Sequence, residues 1–245
     1  MTQHPTITAI VPVRAGSKGI PGKNLWTYDG ASLLARAIRL ARHCDRVERV
    51  IVSTDSADMQ AVALAEGAEC PALRPGELAT DAATSAAVVR HVIETMAVTS
   101  DHLLLLQVTA PLRRLSDCNN FLDLYLGSAA PAATSLVKLD EPRPEKLKKL
   151  EQGKVIPYLE TSYEGPRQAL PQPYALNGAF YAIRREAFLK HGKFLPEGTV
   201  GYEMLPERSH NLDSKQDIEM LSAMLQAGFW RMENLPQKPR ANAEA

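Results

Sequence analysis

The stretch TITAIVPV (residues 6–13), followed by RAGSKGIPGKN (residues 14–24), decides the fold class of this 245-residue chain. The first part is a run of β-branched and apolar residues, which is typical of a buried strand. The second part places three glycines with Arg14, Lys18 and Lys23 in one loop. Glycine lets backbone N–H groups approach an anion closely, and the cations would neutralise it. A polyphosphate is therefore the ligand that this loop favours.

The segments that follow alternate between strand-like and helix-like patterns. We expect helices over 32–44, 57–66 and 84–96, and strands over 47–53 and 102–107. This alternation predicts an α/β protein of Rossmann-like fold, with a mainly parallel sheet and helices on both faces. In such sheets ligands bind beyond the carboxyl ends of the strands. The loops 14–24 and 107–113, which both follow strands, are therefore the candidate ligand loops.

The second half of the chain interrupts this alternation with a stretch rich in proline and charge. We expect residues 135–176 to form an arm inserted into a single domain of residues 1–230, with a strand near 154–159. A strand at 179–183 and helices at 185–191 and 215–227 would complete the domain. The tail 231–245 is polar and contains prolines, so we expect it to be loosely ordered.

The composition argues against several classes of function. Lys plus Arg and Asp plus Glu number 28 each, whereas a sequence-independent grip on nucleic acid needs a basic surface. Apolar runs such as 103–106 are too short to span a membrane. Cys44, Cys70 and Cys118 have no CxxC spacing, which is typical of reduced thiols. We therefore expect a soluble cytoplasmic protein with no nucleic-acid or membrane partner.

The loop 14–24 lacks the spacing of two common phosphate-binding motifs. A Walker A loop reads G-x-x-x-x-G-K-[ST], but five residues separate Gly16 from Gly22 here, and Asn24 follows Lys23. The dinucleotide fingerprint G-x-G-x-x-G is also absent, because these glycines are spaced G-x-x-G-x-x-G. Taken alone, the residues leave open both a nucleotide site and a solvated basic loop.

Six segments, in order along the chain, resemble the CMP-N-acylneuraminate (CMP-sialic acid) synthetase family. They are 14–24, 52–55 (VSTD), 73–81 (LRPGELATD), 106–113 (LQVTAPLR), 176–181 (LNGAFY) and 206–209 (PERS). The resemblance covers roughly residues 6–225. It implies that the anomeric 2-hydroxyl of a keto sugar acid attacks the α-phosphate of CTP and that pyrophosphate leaves. It also implies a homodimer formed through the inserted arm.

The resemblance further implies roles for individual residues. The nucleotide would be held by Arg14, Ala15, Gly16, Ser17, Lys18, Lys23, Asn24, Arg74 and Thr80, and the catalytic group would be Lys23, Arg14 and Asp213. The sugar acid would contact Gln107, Thr109, Arg113, Lys146, Arg167, Asn177 and Tyr181. For Lys146 a solvated charged run remains the alternative.

The metal site departs from the family pattern. Relatives bind Mg²⁺, or another divalent cation such as Mn²⁺, with two aspartates of a Ser-x-Asp-Ile-Asp-Thr type run. The matching run here is SHNLDS (residues 209–214), so Asp213 keeps one carboxylate and Asn211 replaces the other. Three alternatives stay open. In the first, Asp213, CTP and water hold the cation, and Asn211 is a weak ligand or a partner of the site. In the second, Asp217 replaces the missing carboxylate, although it fits a helix start better, and in the third, catalysis is impaired.

Two further interpretations compete with an active enzyme of this kind. One is a related nucleotidyltransferase that uses another keto sugar acid, such as 3-deoxy-octulosonate. The loop 17–24 (SKGIPGKN) disfavours it, because that loop resembles the neuraminate branch. The other is a catalytically weak homologue that only binds nucleotide, and it rests on Asn211 alone.

Overall fold

The computed structural model describes residues 5–16, 20–159 and 171–238. Within these ranges the strands are β1 (Ile7–Pro12), β2 (Thr27–Tyr28), β3 (Ala31–Ser32), β4 (Arg49–Ser53), β5 (His102–Leu105), β6 (Ala132–Lys138), β7 (Lys148–Glu151), β8 (Lys154–Pro157), β9 (Tyr174–Arg184) and β10 (Val200–Met204). The helices are α1 (Leu33–His43), α2 (Ala57–Ala65), α3 (Ser85–Thr95), α4 (Leu115–Gly127), α5 (Arg185–His191) and α6 (Lys215–Gln226).

A six-stranded sheet in the order β10-β6-β9-β5-β1-β4 forms the centre of the molecule. Strand β1 pairs in parallel with β4 and β5, and β6 pairs in parallel with β10. Strand β9 runs antiparallel to both of its neighbours, β5 and β6. The predicted mainly parallel sheet is therefore confirmed, with β9 as the exception.

Helices cover both faces of this sheet, as its sequence pattern predicts. On β1 the side chains of Ala9 and Val11 join one buried cluster, which includes Leu34 of α1 and Phe121 of α4. Ile10 points to the opposite face and packs with the buried side chains of α3 and α5. Alternate residues of one strand thus build two cores, as expected for a strand buried on both faces.

Short polar side chains set the starts of three helices. Ser32, Ser56 and Thr84 each accept a hydrogen bond from the backbone N–H three residues later, which begins α1, α2 and α3. These N-caps satisfy backbone donors that have no partner within the helix. They explain why the predicted helix bounds agree with the structure to within one residue at these starts.

The inserted segment is shorter than the expected arm. Residues 135–138 belong to β6 and residues 174–176 belong to β9, and both strands are part of the central sheet. The excursion from the sheet therefore comprises residues 139–173. Its described part contains the antiparallel hairpin of β7 and β8, which agrees with the strand expected near 154–159.

The chain after α6 follows a defined path where a loosely ordered tail was expected. We call residues 230–238 the C-terminal strap. Arg36, Arg39 and Arg42 of α1 donate hydrogen bonds to the carbonyl groups of residues 233, 235 and 238 at 2.9, 3.4 and 2.7 Å. Residues 239–245 lie outside the described part of the chain. In the described ranges, no helix combines the length and the apolar character needed to cross a membrane.

Candidate functional site

A cavity of about 390 Å³ lies beyond the carboxyl ends of β1 and β5. Four separate segments of the chain meet there. They are the loop after β1, residues 74–88, the loop after β5 (residues 107–113) and the run before α6 (residues 209–214). The predicted site residues that line the cavity are Arg14, Lys23, Asn24, Arg74, Thr80, Gln107, Thr109 and Asp213. The structure therefore brings together residues that are up to about 200 positions apart in the sequence.

The loop after β1 is held in shape by its own polar groups. Asn24 is buried, and its side-chain N–H donates to the carbonyl oxygen of Arg14 at 3.0 Å, which closes the loop. Gly22 has φ of 70° and leads into a short 3-10 turn at Lys23–Leu25. The Ala15 N–H donates to the Asp55 carboxylate at 2.9 Å. Asn24 thus shapes the loop and also lines the cavity.

Two predicted residues of this loop cannot be placed. Ser17 and Lys18 lie outside the described residues. Gly16 is described, and a Cβ added to it would meet no atom within 4 Å among the described residues. The backbone at Gly16 is therefore open on the side where a side chain would stand, as close approach of a phosphate requires.

The arginines of the cavity are paired with carboxylates that we did not select from the sequence. Arg14 donates to the Asp81 carboxylate at 2.5 Å. The buried Arg74 donates to the Val13 carbonyl oxygen at 2.9 Å and lies 3.9 Å from the Asp55 carboxylate. Asp55 and Asp81 are the last residues of the segments 52–55 and 73–81, so the sequence signal that could have identified them as site residues was their place in those segments.

Lys23 connects the loop after β1 to the run before α6. Its ammonium group donates to the carbonyl oxygen of Leu212 at 2.6 Å. Burial lowers the pKa of Lys23, and the negative charges of Asp213 and Asp217 oppose that shift. The Leu212 N–H in turn donates to the carbonyl oxygen of Thr109 at 2.8 Å. The backbone of one residue, Leu212, thus links Lys23 with the loop after β5.

Arg113 supports the loop after β5 from the interior of the protein. Its guanidinium donates to the carbonyl oxygens of Gln107 at 2.6 Å and Ala179 at 2.9 Å, and it lies 5.7 Å from the centre of the Phe180 ring. The residue is 4% exposed, and this burial lowers its pKa to about 10, so it stays protonated near pH 7. Arg113, which we expected to contact the sugar acid, is therefore not among the residues that line the cavity.

Among the remaining residues expected near the sugar acid, the three that the structure describes do not line the cavity. Asn177 is buried between β6 and the run before α6, where it bonds the hydroxyls of Ser135 and Ser209. Tyr181 packs on the face of the sheet that carries α3 and α5. Lys146 lies in the arm and pairs with Glu141 at 2.7 Å. Arg167 falls outside the described residues.

Asp213 is the carboxylate that the run before α6 presents to the cavity. The side-chain N–H of Asn211 donates to one of its oxygens at 2.8 Å, while Asn211 Oδ1 is buried without a partner among the described residues. Asp217 accepts hydrogen bonds from the backbone N–H groups of Asp213 and Ser214, so it belongs to the start of α6. Across the described ranges, no cluster of three His, Cys, Asp or Glu residues has metal-binding geometry.

Comparison with known proteins gives one family throughout. A family model described as "Cytidylyltransferase" matches residues 8–186. The N-acylneuraminate cytidylyltransferase of Escherichia coli is 29% identical over 215 residues, which are 87% of this chain and 51% of that protein. The chain thus spans about half the length of that relative. The CMP-N,N'-diacetyllegionaminic acid synthase of Legionella pneumophila is 32% identical over 202 residues, which are 79% of this chain and 84% of that protein.

A further relative and a solved structure agree with this result. The pseudaminic acid cytidylyltransferase of Campylobacter jejuni is 29% identical over 215 residues, covering 86% of this chain and 92% of that protein. A structure of CMP:2-keto-3-deoxy-manno-octonic acid synthetase complexed with CTP superposes with a TM-score of 0.68 at 19% identity. The superposition covers 91% of this chain and 99% of that one. At this identity the likeness establishes the fold alone.

Removal of the Arg113 guanidinium should loosen the loop after β5. In Arg113→Met the carbonyl groups of Gln107 and Ala179 lose their donor, and leaving buried polar groups unpaired costs roughly 1–3 kcal/mol each. We expect the free energy of unfolding in urea to fall by about 2 kcal/mol or more. Arg46→Met, which breaks an exposed pair with Asp123, is the control and should change it by less than about 1 kcal/mol. Equal stability of the two variants would contradict the role given to Arg113.

Proposed function

This chain belongs to the cytidylyltransferase family, and we propose that it joins CMP from CTP to a nonulosonic, sialic acid-like 2-keto sugar acid. The anomeric 2-hydroxyl oxygen of the acid forms a bond to the α-phosphorus of CTP. The bond from that phosphorus to the β-phosphate oxygen breaks, the hydroxyl proton is released and pyrophosphate leaves. The observation that carries this proposal is the cavity in which Lys23 and Arg14 face Asp213 and Gln107.

Positioning and charge neutralisation are the main requirements of this reaction. Arg14 and Lys23 place two cations on the cavity wall, and their ties to Asp81 and Leu212 hold them in fixed positions. We propose that they contact the triphosphate. Arg74 and Thr80 line the same cavity and would serve the cytidine part. Cations that are already held in place need no reorganisation as charge develops on the leaving phosphates.

The loop after β5 forms the other wall and would serve the sugar acid. Gln107 and Thr109 are half-buried and line the cavity. Their amide and hydroxyl groups are suited to hydrogen bonds with sugar hydroxyls. Relatives of similar identity act on N-acylneuraminic, pseudaminic or legionaminic acids by name. We therefore propose that the sugar substrate belongs to the class of nonulosonic acids.

We also infer that the reaction takes place in the cytoplasm, which cell fractionation would test.

The donor set at Asp213 fits a divalent cation that is bound mainly by the nucleotide. Mg²⁺ is commonly held by one or two carboxylates together with substrate phosphates, and Asp213 is one exposed carboxylate on the cavity wall. Asn211 presents its N–H to Asp213, so it acts as a partner of the carboxylate. When bound, the cation would neutralise charge on the phosphates.

Pyrophosphate release tests the proposed reaction directly. We expect release with CTP, dependent on Mg²⁺ and on one acid from a panel of N-acetylneuraminic, legionaminic, pseudaminic and 3-deoxy-octulosonic acids.

Lys23→Ala should lower kcat roughly 100- to 1,000-fold, since it removes one preorganised donor. Lys190→Ala, an exposed lysine on α5, is the control and should behave like the wild type. Absence of release with the whole panel, in protein that binds CTP, would favour a binding homologue.

The role given to Asn211 predicts that the cation enters with the nucleotide. Electron paramagnetic resonance of Mn²⁺ should show weak binding to the free protein and tighter binding once CTP is present. In Asn211→Asp a second carboxylate replaces the amide donor, so Mn²⁺ should bind the free protein more tightly than it binds the wild type. If the wild type binds Mn²⁺ equally well with and without CTP, this account of the metal site is wrong.

We further propose a homodimer formed through the hairpin of β7 and β8. A two-stranded hairpin is marginal by itself in water, and Leu150 and Val155, which pair across it, are 75% and 71% exposed. Light scattering should give twice the 26.8 kDa chain mass. Val155→Lys should reduce that mass toward a monomer, whereas Lys154→Ala should not. A monomeric wild type at working concentration would exclude this assembly.

A further inference from the structure

The C-terminal strap is fastened to α1 by a row of arginines. Arg36, Arg39 and Arg42 stand three residues apart on one helix face, and each donates to a strap carbonyl group. The Lys238 ammonium donates back to the Arg42 carbonyl oxygen at 2.7 Å, and Gln237 donates to the Ala65 carbonyl oxygen at 2.6 Å. The strap is thus held along the helix mainly through its own backbone.

From this anchored position the strap reaches the loop after β5. The Glu233 carboxylate accepts a hydrogen bond at 2.6 Å from the backbone N–H of Leu115, the first residue of α4. That N–H has no partner within the helix, and a negative charge is stabilised at a helix N-terminus. Asp117 satisfies the neighbouring N–H of Arg114 at 2.9 Å. Glu233 therefore fixes the point where the loop 107–114 enters α4.

The strap also contacts the run before α6. The Trp230 ring lies 4.9 Å from the ring of His210, which directly precedes Asn211. A ring nitrogen of His210 lies 3.0 Å from the carbonyl oxygen of Asp217 in α6. The loop 107–114 and the run 209–214 are thus joined twice. At the cavity, the Leu212 N–H donates to the Thr109 carbonyl oxygen. Away from it, the strap contacts both segments through Glu233 and Trp230.

We propose that Glu233 and Trp230 are positioning residues for the sugar-acid half of the site. By holding both segments, the strap sets the position of Gln107 relative to Asp213 on the cavity wall. A displacement of about 1 Å between reacting groups can cost about 100-fold in rate. The proposal rests on the proposed function, because it assigns the loop 107–114 to the sugar acid and the loop 14–24 to CTP.

Variants of Glu233 in the full chain test this role. Glu233→Ala removes the acceptor, whereas Glu233→Gln keeps an oxygen that accepts from Leu115. With the acid that supports pyrophosphate release, we expect Glu233→Ala to raise its KM or lower kcat roughly tenfold or more, while the Kd of CTP by calorimetry stays within about twofold. Glu233→Gln should recover most of the loss.

A matched control and an activity-independent readout complete the test. Asn234→Ala changes a strap residue that bonds Asp29, away from the cavity, and should leave KM and kcat unchanged. Hydrogen exchange should accelerate in peptides covering 107–115 of Glu233→Ala, but not in peptides covering 20–28.

The possible results separate this proposal from the proposed function. Unchanged exchange at 107–115, or equal losses of CTP and sugar-acid affinity, would overturn the positioning role. If no acid supports turnover in the wild type, selective acceleration at 107–115 still supports the strap's hold on the loop, and the failure then belongs to the assigned reaction.

Discussion

The backbone of Leu212 is the connection on which the site depends. Its carbonyl oxygen accepts from the Lys23 ammonium group, and its N–H donates to the carbonyl oxygen of Thr109. Leu212 is fully buried, so both polar groups need partners inside the protein. Because these partners come from the loops after β1 and β5, satisfying the backbone groups of one buried residue brings three distant segments to a single cavity. Asp213 reaches the cavity wall as the next residue along the chain.

The charges of the site are balanced within it. Arg14 pairs with Asp81, and Arg74 lies beside Asp55, so the cations are held in place before an anion arrives. The whole chain has no net charge, and the field that attracts a polyphosphate is therefore local. Burial lowers the pKa values of Lys23 and Arg74. Desolvation thus destabilises these cations at the position where the proposed substrate would supply the compensating negative charge.

The sequence predicts most of the fold because its signals are local. Helix-like apolar patterns predict α1, α2 and α3, and the alternation of strands and helices predicts the parallel sheet. By contrast, α4, β6 and β10 were not predicted. The N-cap of α4 is Arg114, which makes no side-chain cap bond, and β6 ends inside the stretch 135–176 that we expected to form the arm. These elements are specified mainly by burial against the rest of the sheet, which tertiary context decides.

The residues of the candidate site can likewise be divided into those that the sequence predicted and those that it did not. Eight residues that the family resemblance implied line the cavity, whereas glycine and charge in the loop after β1 indicated only that an anion could bind there. Arg113 was assigned to the ligand, although it bonds two backbone carbonyl groups. Sequence alone does not tell whether an arginine faces a cavity or the interior. The strap was missed because it binds the arginines of α1 through its own backbone carbonyl groups, which every residue has.

Strand β9 gives the inserted segment a particular relation to the cavity. Because β9 runs antiparallel to β6, the chain leaves the sheet after Lys138 and returns at Tyr174 on the edge where β1 and β5 end. Insertions and deletions within 139–173 would therefore change what emerges at that edge while the sheet register stays the same. The length of the inserted segment is thus independent of the loops after β1 and β5, which carry the residues of the cavity wall.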